Sequence, residues 1–93
     1  MSVLAIFKWR GDPASLLATV DKELEHPIPR NQPRRQLHVR ARADDGMVIV
    51  DLWDSEEDFQ AMMNNPGFQK NLQEAGTPDP DVVEVFEVHA TIP

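Results

Sequence analysis

The chain has no cysteine, so neither disulfides nor thiolate chemistry are open to it, and the cytosol is the natural compartment. Its four glycines stand at expected turns and helix ends. They leave no material for a phosphate-cradling loop or a dinucleotide fingerprint. No apolar run approaches the length of a membrane span. The opening MSVLAIFKWR lacks a basic leading segment, and charge interrupts its apolar run too early for a signal peptide. Positive charge is scarce: nine basic against sixteen acidic residues give a formal net charge of −7. That balance argues against nucleic acid as a partner. A soluble cytoplasmic protein without a membrane partner is expected.

The 93 residues suit a single domain covering 1–93. A chain of this size buries roughly 60–65% of its unfolded surface, enough to fold with a thin margin. The charge is unevenly spread. Arg30, Arg34, Arg35, Arg40 and Arg42 occupy a stretch without an acid, whereas seven acids crowd between Asp44 and Asp58. Either an anionic ligand or the protein's own acidic segments can answer those arginines.

Residues 2–9, SVLAIFKW, read as a strand closed by Arg10-Gly11-Asp12. Asp12 caps a helix with Pro13 at its first position, and Leu16, Leu17, Val20 and Leu24 form the inner stripe. His26-Pro27 ends it. After the irregular PIPRNQPRR, residues 35–43 alternate in polarity, with Leu37, Val39 and Ala41 on one face and His38, Arg40 and Arg42 on the other. Asp44-Asp45-Gly46 marks a hairpin, and MVIVDLW, residues 47–53, returns. A second helix begins at Asp54 or Ser55, with Phe59, Met62 and Met63 inward. Pro66 interrupts it, Asn65 caps the next helical piece, and Gly76 stops that piece. VVEVFEVHATI, residues 82–92, is the last strand. The order strand, helix, strand, strand, helix, strand predicts a ferredoxin-like α+β fold, a four-stranded antiparallel sheet with helices on one face.

The first and last strands are apolar on both faces: Val3 to Phe7, then Val82, Val83, Val85 and Phe86. Strands of that kind are buried on both sides. Two helices cover one side only, so a homodimer with the two sheets facing each other is expected.

Trp53 ends its strand where the second helix begins, and its ring suits a core or a pocket wall equally. The hairpin register is open. With Asp45-Gly46 as a two-residue turn, Arg40 lies opposite Asp51 and His38 opposite Trp53, and these four share a face. With a three-residue loop and a bulge, Asp51 and Trp53 join Val39 and Leu37 instead. The first separates polar from apolar side chains and is preferred. It collects His38, Arg40, Asp51 and Trp53 as a small-molecule site or as a polar network at a dimer interface. His38 and His89, on strands, are the candidate acid–base residues, against the plainer reading of surface or core histidines. His26 suits the helix end it occupies. No two histidines have a metal-ligand spacing, and no metal or cofactor is expected.

The stretch VDLWDSEEDF, the helix carrying NNPGFQ and the terminal VVEVFEVH resemble the antibiotic-biosynthesis-monooxygenase-like group of dimeric α/β barrels. The resemblance covers nearly the whole chain as an order of elements, and its sharpest feature is the Trp53-Asp54-Ser55-Glu56-Glu57 junction. It implies a homodimer and a pocket between sheet and helices, with Trp53 contributing and Phe59 and Met63 lining it. It further implies a small aromatic or quinol-type molecule as substrate of a cofactor-independent monooxygenase; the polar face would then supply His38 or His89 for proton transfer and Arg40 to hold an enolate or carboxylate. Haem-degrading members carry an asparagine in the first strand and a haem-ligating histidine on the helix after the tryptophan. This chain has no asparagine in its first strand and no histidine from Asp54 to Gly76, so haem degradation is not expected. A non-catalytic dimer of the same fold, binding a small ligand or serving a structural role, is the alternative.

Overall fold

The computed structural model describes residues 1–23 and 35–93. Its elements are β1 (Val3–Arg10), α1 (Pro13–Glu23), β2 (Arg35–Ala43), β3 (Gly46–Trp53), α2 (Glu56–Met63), α3 (Pro66–Ala75) and β4 (Val82–Glu87). The strands form one antiparallel sheet in the order β2-β3-β1-β4. This is the ferredoxin-like α+β arrangement, with the two outer strands joined to the central pair through helices. Leu24, His26, Arg30 and Arg34 lie outside the described residues, as does the end expected for the first helix. Among the described residues no helix is long and apolar enough to cross a membrane.

The helix starts follow from their capping residues. Asp12 accepts hydrogen bonds from the Ser15 backbone N–H at 2.9 Å and from the Ser15 hydroxyl at 2.7 Å. The hydroxyl bond first, and then the backbone bond, hold the Asp12 carboxyl below its ordinary range. Ser55 caps α2 by accepting from the Asp58 N–H at 3.1 Å. Asn65 caps α3 through the Gly67 and Phe68 N–H groups, and Gly76 ends that helix in the left-handed region at φ 77°.

Alternation in β1 sends Val3, Ala5, Phe7 and Trp9 toward the helices. Met47, Ile49, Asp51 and Trp53 of β3 stand on the same side. With Leu16, Val20, Phe59 and Met62 these residues make the core. The opposite sheet face carries Leu4, Ile6, Leu37, Val39, Val48, Val50, Leu52, Val82 and Phe86, with a Lys8–Glu84 ion pair among them. No element of the described chain covers it. Leu37 remains 50% exposed and Phe86 47%.

Two boundaries differ from expectation. The last strand stops at Glu87 rather than at residue 92, because its partner runs out: the final contact is Val88 N–H to the Ser2 carbonyl at 2.9 Å, one residue before β1 begins. Beyond that point β4 has no neighbouring strand to pair with. The hairpin turn is Asp44-Asp45, with Ala43 opposite Gly46, so Asp51 faces His38 rather than Arg40. Gly46 is taken into β3 because it abuts the β1 backbone: a Cβ there would meet the Trp9 carbonyl oxygen at 1.7 Å. The shift from the preferred register is two residues, an even number. The same side chains therefore share each face as in that register, and Trp53 and Asp51 stay apart from Val39 and Leu37.

Candidate functional site

The polar residues of β2 and β3 face inward, under the helices. Asp51, in the middle of β3, is the one buried charged residue among those described, at 3% exposure. A carboxylate at that depth needs partners. His38 lies directly opposite on β2, and its Nδ1 is 2.5 Å from Asp51 Oδ1. Arg40 reaches His38 from two residues further along the strand, its Nε donating to His38 Nε2 at 2.8 Å. Arg40 is itself fixed to α1, donating to the Val20 carbonyl at 2.8 Å and pairing with Asp21 at 3.4 Å.

These contacts settle the histidine tautomer. A guanidinium Nε–H can only donate, so His38 Nε2 accepts. The ring proton then sits on Nδ1 and is donated to Asp51. A second guanidinium, that of Arg35, has its NH1 group 3.0 Å from the same Nδ1 and 3.9 Å from Asp51 Oδ1. Two donors cannot hydrogen-bond one another. Arg35 therefore makes a long ion pair with Asp51 and lies over the Trp53 ring at 5.8 Å, in cation–π contact.

Arg35 reaches this side through an irregularity. Simple alternation places odd-numbered residues of β2 on the apolar face with Leu37 and Val39. A bulge between Arg35 and Leu37 sets Arg35 opposite Trp53 and returns it to the side of His38. The bulged residue, Gln36, donates to Asp54 Oδ1 at 2.6 Å, just past the end of β3.

A cavity of about 490 Å³ opens beside this cluster, between the sheet and the helices. Its polar end is made by Arg35, His38 and Asp51, and its walls by Phe7, Ile49, Phe59, Met62, Met63, Phe68 and Leu72. The exposed Gln69, Gln73, Asp79 and Val83 edge its mouth. The segment after α3 is tied across one side by Trp9, whose indole N–H donates to the Pro78 carbonyl at 2.8 Å. Asp81 secures the same segment, accepting from the Arg10 N–H at 2.7 Å and donating its own N–H to the Lys8 carbonyl at 2.8 Å.

Of the residues singled out from the sequence, His38, Asp51, Phe59 and Met63 line this cavity together. Arg40 is joined to it through His38. Trp53 is fully buried, packed edge-on against Phe59 at 6.2 Å, and is not among the lining residues. Its indole N–H has no hydrogen-bond partner among the described residues. His89 lies beyond β4, exposed and apart from the cavity. Trp9, Phe68, Leu72 and Arg35 were not anticipated. Only the bulge reveals Arg35. Among the described residues no group of three or more histidine, aspartate or glutamate side chains could hold a metal ion.

The ferredoxin-like sheet with its helices is a fold shared with antibiotic-biosynthesis-monooxygenase proteins of known structure. An assigned antibiotic biosynthesis monooxygenase from Chloroflexus aurantiacus J-10-fl superposes with a TM-score of 0.70 at 19% identity, covering 100% of this chain and 98% of that one. SnoaB, a cofactor-independent oxygenase from Streptomyces nogalater, superposes with a TM-score of 0.64 at 20% identity over 99% of this chain and 95% of its own. A point variant of SnoaB gives 0.67 at 19% identity with the same coverage. At these identities the likeness is one of fold. No protein-family model and no curated protein matches the sequence.

Proposed function

We propose that the protein binds a small aromatic molecule of quinol or anthrone type in this cavity and oxygenates it without a cofactor. The observation that carries the reading is the His38–Asp51 pair at the end of an otherwise apolar cavity. The fold shared with SnoaB supports it. In such a reaction an acidic ring or benzylic carbon gives up a proton, and the delocalised carbanion passes electrons to dioxygen. For a benzylic methylene, the substrate loses two hydrogens and gains one oxygen atom, and the second oxygen atom leaves as water.

The chain's own residues supply the proton chemistry. Asp51 fixes the Nδ1–H of His38, leaving the Nε2 lone pair to act as the base. Arg40 covers that lone pair and must withdraw for a substrate proton to reach it. Phe59 and Met63 hold the flat ring and exclude water, and Trp53 backs Phe59. His89 has no part in the reaction.

An oxygen electrode tests the proposal with a panel of anthrones and hydroquinones. Uptake above background is expected, with a loss of about 10²-fold or more in His38→Ala. The bond already made by Arg40 to Nε2 favours a second reading, a non-catalytic binder of the same ligands. Ligand binding without any oxygen uptake would leave that reading in place of the first.

The exposed apolar sheet face supports a homodimer in which two such faces meet.

A further inference from the structure

Two guanidiniums and one buried carboxylate stand at, or just behind, the polar end of the cavity. Arg35 and Arg40 have side chains only 22% and 15% exposed, against one buried carboxylate, that of Asp51. The other acid near them, Asp21, pairs with Arg40 at 3.4 Å, but its side chain is 67% exposed and solvent screens that pair. The two guanidiniums are not equivalent. Arg40 spends its Nε and NH1 donors on His38 Nε2, the Val20 carbonyl and Asp21, and it does not line the cavity. Arg35 does line it. Once the His38 proton is placed on Nδ1, Arg35 has no acceptor at hydrogen-bond distance among the described residues; Asp51 Oδ1, at 3.9 Å, is its nearest anion. A largely sheltered guanidinium, in cation–π contact with Trp53, thus stands at the polar end of the cavity with no acceptor for its N–H groups among the described residues once the His38 proton is placed.

We infer that Arg35 is a specificity-determining residue that receives the carboxylate of a monoanionic aromatic acid, its ring lying among Phe59, Met63 and Phe68. This deepens the cavity binding proposed above and rests on it. The guanidinium plane offers two parallel N–H groups to a carboxylate, and a bidentate bond of that kind forms where water is excluded. The ligand's charge also completes the neutralisation that Asp51 begins. The acidic Asp79 lies at the exposed mouth, so the acid group is favoured inward and the ring edge outward. The anion-holding role expected of Arg40 falls to Arg35.

Isothermal titration with 2-naphthoate and its uncharged isostere 2-naphthamide tests this. The wild-type protein is expected to bind naphthoate roughly 10- to 100-fold more tightly, the range that charge-assisted hydrogen bonds give. In Arg35→Gln the two affinities converge, through loss of naphthoate binding and with naphthamide affinity held within about threefold. The retained naphthamide binding shows that this variant is folded. Equal affinities in the wild type, or a preference that survives Arg35→Gln, overturns the role of Arg35 and leaves the cavity reading standing. Failure of both compounds to bind the wild type sinks the cavity reading and this inference together.

Discussion

At the scale of single residues, the site turns on one proton. His38 is bracketed by a carboxylate at Nδ1 and a guanidinium at Nε2, and only one tautomer satisfies both. Arg40 is no bystander, since its anchors on Val20 and Asp21 connect α1 to the lone pair that a substrate proton must reach. A long-range ¹H–¹⁵N spectrum checks the assignment. The neutral imidazole of His38 is expected to show a protonated Nδ1 and a bare Nε2. In Arg40→Met the same tautomer persists, held by Asp51, while the Nε2 resonance moves as its donor is lost. A neutral His38 protonated at Nε2 in the wild-type protein would contradict the geometry and remove the case for Nε2 as the base. Trp53 illustrates a different balance. Its ring packs edge-on against Phe59, and the volume it contributes offsets an indole N–H that finds no partner among the described residues.

At the scale of elements, the caps were the most legible features. Ser55 and Asn65 each stand where a short polar side chain precedes an apolar-periodic segment, and both accept the expected backbone bonds. The β2–β3 face assignment was legible for a similar reason: a period of two fixes which side chains share a face even when the register slides by two. Two things were hidden. The bulge at Gln36, which brings Arg35 into the site, leaves no mark in a pattern of alternating polarity. The turn also misled, because Asp-Gly signals a hairpin corner through the positive φ that glycine allows. Gly46 has no positive φ and serves instead where two strands come close. This gives a prediction for the element. Gly46→Ala forces the β3 backbone off Trp9, and a destabilisation at the upper end of the roughly 1–3 kcal/mol typical of overpacking is expected in urea denaturation. A stability within about 0.5 kcal/mol of wild type would show that the two strands can part without cost.

At the scale of the whole molecule, the unequal treatment of the two sheet faces is the central fact. One face holds the core, the cavity and the polar cluster. The other is a nearly unbroken apolar surface from Leu37 on one edge to Phe86 on the other, relieved by Lys8 and Glu84. A patch of this kind on a lone subunit is a liability, and a self-complementary contact removes it at no cost in new sequence. Val50 lies near the centre of the face, between Ile6 and Val39 on its neighbouring strands, with its side chain half-buried. Light scattering at micromolar concentration is expected to give twice the 10.5 kDa mass of the chain. Val50→Lys places one charge from each subunit at the centre of the contact, where burying an unpaired ammonium costs several kcal/mol. That variant should scatter at 10.5 kDa. The cavity lies on the far side of the sheet, so the variant should still bind naphthamide as the wild type does. A wild-type mass of 10.5 kDa would refute the face-to-face pairing. A dimer that survives Val50→Lys would move the contact off this face and leave the apolar surface to be covered in some other way.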